Sequence, residues 1–155
     1  MRRQDREVLQ PEQIDAIIES CDCLRLGLNA EDGAYIVPLN FAYVPGKPAK
    51  FYFHSAKEGR KVDMIGQGVK AGFELDGAHR LGEAETGCRH TFFYQSVIGT
   101  GTVRPVETLE EKKRALSAIM AHYRKDRAFS FTDEQADAVA VFCLTAETMS
   151  CKQHS

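Results

Sequence analysis

From Leu24 to Leu28 every second residue is apolar, with Arg25 and Gly27 between, a period of two that predicts a strand buried on one face. Similar patterns recur along the chain. "YIVPLNFAYV" (Tyr35–Val44) reads as a second strand, with Pro38 marking an edge, a bulge or a break in pairing because it donates no ladder hydrogen bond. "FYFHS" (Phe51–Ser55) reads as a third, "VKAGFELD" (Val69–Asp76) as a fourth, and "TFFYQSVIGTGTVRPV" (Thr91–Val106) as the longest, bent near Gly99 and Gly101. "AVAVFCLTAETMS" (Ala138–Ser150) closes the set as a sixth.

Helical spacing appears in three places. Ile14, Ile17, Ile18 and Cys21 follow a proline suited to a first helical turn, which predicts a helix over Pro11–Ser20. Lys57–Gly66 presents Val62, Met64 and Ile65 on a short helix. Thr108 and Glu111 have capping-box spacing ahead of a helix that runs to about Tyr123, and Thr132–Gln135 caps one further turn. "GAHRLGEAETGCRH" (Gly77–His90) shows no period and is expected as a connection. Six strands joined by short turns, with two or three peripheral helices, predict a mainly β fold, a closed or partly closed antiparallel barrel.

Composition narrows the picture. A chain of 155 residues with 43% hydrophobic and 27% charged residues is expected to form one domain over 1–155, with residues 1–10 as a flexible arm. A net charge of -2 gives no reason to expect a nucleic-acid partner, and no apolar run reaches the ~20 residues of a membrane span. Nor does "MRRQDREVLQPEQ" lead into the apolar core of a secretory signal. Five cysteines, an odd number, are read as reduced thiols in a cytoplasmic protein. The one-residue gap of Cys21-Asp22-Cys23 is too tight for a common zinc knuckle, so no metal site is expected.

The chemistry concentrates where the third strand meets its helix. Ser55 offers a hydroxyl and Gly59 removes side-chain bulk, while Arg60 and Lys61 add a forked donor and a point charge beside the unpaired amides of a first helical turn. That set suits a phosphate. A solvated, charged helix start explains the same residues equally well.

The ordered segments "IVPLNFAYV", "FYFHSAKEGRKVDMI", "VKAGFELD" and "YQSVIGTGTV" resemble the flavin-binding split-barrel superfamily related to pyridoxamine 5'-phosphate oxidase, and within it the nitroimidazole-resistance group. The resemblance implies a six-stranded FMN-binding split barrel in which Ser55, Arg60 and Lys61 hold the FMN phosphate. It implies that Val37, Pro38, Leu39 and Asn40 lie along the flavin, and that the partner of a homodimer contributes Tyr94, Gln95, Ser96 and Val97 to the pocket. His54, next to Ser55, reads either as a structural strand histidine or as a residue at the cofactor site. His79, His90, His122 and His154 are expected at the surface. The chain lacks the arginine- and histidine-bearing C-terminal segment with which the oxidase grips its substrate, which argues against vitamin B6 oxidation. The implied activity is an FMN-dependent reductase passing electrons to a small planar acceptor, a nitroaromatic or quinone, with His54 or Tyr94 as acid. The alternatives are a non-catalytic flavin carrier or sensor, and a haem-binding split barrel.

Overall fold

A computed structural model describes residues 3–155. Its elements are β1 (Glu7–Val8), α1 (Pro11–Ser20), β2 (Leu24–Ala30), β3 (Gly33–Leu39), β4 (Ala42–Val44), β5 (Lys50–Ser55), α2 (Arg60–Ile65), β6 (Val69–Gly82), β7 (Thr91–Pro105), α3 (Leu109–Tyr123), α4 (Asp133–Asp137) and β8 (Ala140–His154). Two 3-10 turns, Gln4–Arg6 and Gly87–Arg89, complete the order. All strand pairs are antiparallel.

The sheet order is β3-β2-β6-β7-β8-β5-β4, with β1 added on β8. Its two end strands, β3 and β4, are consecutive in the chain and joined through Asn40 and Phe41, so the sheet must curl until its edges meet. No ladder joins those two edges. The result is a barrel with a split.

Alternation explains what fills it. Leu24, Leu26 and Leu28 of β2, Phe51 and Phe53 of β5, Phe73 and Leu75 of β6, Val97 and Val103 of β7 and Leu144 of β8 all point inward and are buried. Each large side chain removed from water contributes roughly 1.5–3 kcal/mol. A smaller cluster of Val106, Ala115, Leu116, Ala136 and Val141 seats α3 and α4 on the outside of the sheet. At the far end of α3, Tyr123 Oη donates to Asp22 O (2.8 Å) and accepts from Phe41 N (3.1 Å), fixing the crossover between the two edge strands.

The mainly β reading holds, but eight strands replace the expected six. The segment Tyr35–Val44 is two strands, β3 and β4, because the chain leaves one edge and joins the other at Asn40–Phe41. Pro38 sits on β3, an edge strand, where its missing N–H is harmless. The eighth strand lies within the stretch expected as an arm: Glu7 and Val8 pair with Lys152 and Cys151, and Val8 is buried.

Other boundaries move for local reasons. The helix expected from Lys57 begins at Arg60, because Gly59 has φ 130°, a positive angle that favours glycine and cannot continue a helix. Residues 77–82 extend β6 instead of forming a loop, their period hidden by a bulge in which Ala78 and His79 oppose the single residue Tyr94. A register shift does fall at Thr100/Gly101, as the bend expected there requires, with Glu147 the extra residue on β8. Thr108 accepts from Glu111 N without the reciprocal bond, whereas Thr132 and Gln135 form the complete capping box.

Candidate functional site

The corner where β5 gives way to α2 is built by three local features. Ser55 ends β5 opposite Ala140, and its Oγ donates to Ala56 O at 2.7 Å. Gly59 turns the chain, and the first helical bond then runs from Asp63 N to Gly59 O at 3.1 Å. Arg60 and Lys61 follow on the first turn of α2 and separate sharply in environment.

Arg60 reaches back to the β2–β3 turn. Its Nη2 donates to Asp32 Oδ1 at 2.7 Å, and its guanidinium lies over the Tyr35 ring at 4.7 Å. Lys57, just upstream, pairs with Asp137 at 3.2 Å. Lys61 has no carboxylate partner among the described residues. It is half-buried, and burial pushes its pKa down. The neighbouring His54 is also pushed down, first by the protein crowding its ring and then by the Lys61 charge, although one face of it meets solvent. The expected basic pair is therefore one engaged cation and one uncompensated cation.

β3 meets this corner through Tyr35, whose ring lies under the Arg60 guanidinium. Asn40 follows β3 in the link that carries the chain to β4 at the other sheet edge. Asn40 is exposed, Val37 half-buried, Leu39 buried and Pro38 exposed opposite Arg25. Since β3 has a neighbour on one side only, half of its backbone donors and acceptors face away from the sheet. Of the candidate residues, His54 feels the Lys61 charge and Arg60 reaches β3 at Tyr35, whereas Val37, Pro38, Leu39 and Asn40 lie further along β3 and its exit, with Leu39 turned into the core.

Tyr94, Gln95, Ser96 and Val97 do not join them. Ser55 aligns with Ala140 of β8, whereas Ser96 aligns with Lys152, twelve residues along the same strand. At ~3.3 Å per residue that is roughly 40 Å of strand contour. Gln95 and Ser96 are partly exposed, facing Gly77 and Asp76 across β6. The Val97 side chain is fully buried, so it offers a ligand nothing, and its backbone lies between β6 and β8. Tyr94 Oη accepts from Arg6 Nη1 at 3.5 Å.

Two histidines expected at the surface are built into the structure. His122 contacts Cys21 O through Nε2 at 2.8 Å and packs its ring 4.5 Å from Phe41. His154 contacts Phe92 O through Nδ1 at 3.0 Å and lies 3.4 Å from Arg6 Nη2. Neither contact leaves a local spacing signal, because the partners are 101, 62 and 148 residues away. His79 is exposed but tied to Asp76 at 3.0 Å, a pairing that helical or strand spacing hides. Cys21 is buried, its Sγ donating to Ile17 O, and burial raises its thiol to about 11. Among the described residues no three His, Cys, Asp or Glu side chains lie close enough to hold a metal ion. No helix among them is long and apolar enough to cross a membrane.

A curled antiparallel sheet left open between β3 and β4 is a split barrel, and that is the class of fold this chain adopts. Residues 10–153 match the family model described as pyridoxamine 5'-phosphate oxidase, and the chain belongs to that family. A candidate 5-nitroimidazole antibiotic resistance protein from Bacteroides thetaiotaomicron is 30% identical, with a TM-score of 0.80 over 95% of this chain and 86% of that one. An FAD- and haem-binding protein from Mycobacterium smegmatis superposes with a TM-score of 0.83 at 15% identity, over 97% of this chain and 74% of that one. An FAD-binding protein from Mesorhizobium loti gives 0.64 at 18% identity, over 95% and 96%. The last two likenesses are of fold. No curated protein matches the sequence.

Proposed function

We propose that this chain is an FMN-binding oxidoreductase that forms a homodimer and reduces a small planar acceptor, a nitroaromatic or quinone. The observation that carries the reading is Lys61: a half-buried ammonium without a carboxylate, at a strand-to-helix corner with Ser55 beside it. An uncompensated cation there is stabilised by an anion, and a phosphate supplies one. Arg60 already has Asp32, so it steadies the corner and contributes less to the ligand.

The residues fit a flavin mononucleotide. Lys61 and the first amides of α2 would hold its phosphate, joined by the Ser55 hydroxyl once it turns away from Ala56 O, and the free edge of β3 with Asn40 would meet the polar rim of its ring. When bound, the flavin supplies the two-electron chemistry, and the protein supplies placement and electrostatics. His54, held toward its neutral form, is suited to accept a hydrogen bond from a ligand and poorly suited to act as an acid near neutrality.

Dimerisation is supported by the separation of Ser96 from Ser55, which one chain cannot close. It is also supported by the outer face of the sheet. Ile36, Gly27, Gly72, Thr100 and Thr148 form one row across five strands, and Ile98 stands in the next. Ile36 and Ile98 are 61% and 56% exposed on a face with no bulky side chain at the two glycines, a flat surface suited to a second copy. A cytoplasmic setting suits five free thiols.

The absorption spectrum and mass of the copurifying ligand test the assignment: a flavin band with the mass of FMN is expected. A Soret band would favour haem, and the mass of FAD would change the nucleotide. Lys61→Glu should retain the fold and lose at least ~10-fold in flavin affinity; unaltered stoichiometry would remove the phosphate assignment. Anaerobic photoreduction followed by mixing with a nitroimidazole separates an enzyme from a carrier. Transfer no faster than from free FMN would favour the carrier.

A further inference from the structure

Reduction of a quinone or nitro group consumes protons as well as electrons, and the corner described above has no good donor. His54 leans neutral, and Tyr94 stands apart from it on β7. The structure assigns the task elsewhere: we propose that His79, oriented by Asp76, is the proton donor to the acceptor, working at the flavin pocket of the partner subunit. This rests on the flavin-reductase reading above.

The first observation is one of parity. In a regular strand Asp76 and His79, three residues apart, project to opposite faces. Here His79 Nε2 lies 3.0 Å from Asp76 Oδ2, because the bulge of β6 inserts one extra residue between them. The bulge also holds Ala78 at φ 53°, a conformation that non-glycine residues rarely adopt. Local backbone strain of this kind, spent on re-aiming one side chain, is a feature of functional strands.

The second observation is how the carboxylate is fixed. Asp76 accepts from Arg25 Nη1 at 2.5 Å through its other oxygen, and the same guanidinium nitrogen binds Glu74 at 3.0 Å. With Oδ2 accepting from Nε2–H, the Nδ1 atom of His79 is left for exchange with a ligand or solvent. No other histidine among the described residues is paired to a carboxylate; His90, His122 and His154 contact backbone carbonyl oxygens.

The third is position. Asp76 is the register partner of Ser96, and Ala78 and His79 lie across from Tyr94. Ser96 and Ile98 line a cavity of about 300 Å³ on the outer face, and the exposed Phe92 ring lies tilted with its centroid 5.8 Å from that of His79. An imidazole and an aromatic ring thus stand beside the segment that dimerisation would carry to the neighbouring pocket. The balance is simple: a quinone gains two electrons and one hydrogen as a hydride equivalent from reduced flavin. Its second hydrogen arrives as a proton from Nδ1 of the His79 imidazolium, which water then restores. The charged groups on the His79 side are Asp76 on its own strand, Arg25 behind Asp76 on β2 and Glu74 beyond Arg25, while Arg80, next in sequence, lays its guanidinium over the Phe93 ring.

The test uses flavin-loaded, photoreduced protein mixed anaerobically with benzoquinone, and with ferricyanide, which takes one electron and no proton. His79→Gln should keep flavin stoichiometry and the ferricyanide rate and slow quinone reduction ~100-fold at neutral pH. Independently of flavin, nitrogen NMR of the ligand-free protein should show the Nε2–H tautomer of His79, lost in Asp76→Asn. Equal quinone rates in His79→Gln and the unaltered protein would overturn this assignment alone, as would an Nδ1–H tautomer. Parallel loss of the ferricyanide rate would reassign His79 to structure. Quinone reduction by the unaltered protein no faster than by free FMN would sink the reductase reading and this donor with it.

Discussion

Lys61 and His54 both resist positive charge chiefly through burial, His54 through the Lys61 charge as well, and each makes a distinct prediction. For His54 the sign follows from its lowered pKa. Below its ordinary value of 6.5 the unfolded chain holds a proton that the folded imidazole refuses, so stability falls as pH drops from about 6.5 toward the folded value. His54→Gln should flatten that part of a denaturation profile measured on the ligand-free protein; an unchanged slope would place the imidazole in solvent. Lys61 works at the alkaline end. Its folded pKa lies below the ordinary 10.5, so ligand-free stability rises with pH through the window just under that value. The residue types at this corner were legible in "HSAKEGRK", which sets a hydroxyl, a glycine and three cations within eight residues. Which cation was free was not legible. Asp32, 28 positions from Arg60, decides that, and only the fold sets it there.

Among the elements, the long strands β6, β7 and β8 carry the sheet, and their glycines show how closely they approach. A Cβ at Gly99 would run into the Phe73 ring and Thr148 O, and one at Gly101 into Thr145 O. Gly99→Ala is expected to cost about 2 kcal/mol, within the range for overpacking a filled core, and to lower the thermal midpoint by several degrees without altering flavin mass. A midpoint within a degree of the parent would mean that the ladder yields at that point. Period-two patterning revealed β2, β5 and most of β7, since each buries one face against one core. It failed at Gly77–Gly82, where the bulge shifts the alternation, and at Asn40, where one apolar run serves both edges of the split. The same bulge is what aims His79. A feature that erases a sequence pattern there creates a site.

For the whole molecule, the sheet leaves Ile36 and Ile98 exposed on the part of its outer face that α3 and α4 do not cover, and divides the expected ligand contacts between two distant regions. If a second copy covers that face, Ile98→Asp should give a monomer by sedimentation velocity and should weaken flavin binding although Lys61 and Ser55 are untouched. A dimer that survives the charge would move the interface elsewhere. Flavin binding at full strength by a monomer would show that one chain makes the whole pocket.

Alternation, turn residues and capping determined the mainly β character, most strand positions and the residue types of the cationic corner, because each is a short-range property written within about ten residues. The tertiary structure decided the rest: that consecutive strands occupy opposite sheet edges, that Arg60 is spent on Asp32 while Lys61 is not, that Val97 points into the core, and that His79 meets Asp76. These depend on register and on contacts between residues tens of positions apart, and local periodicity carries no record of either.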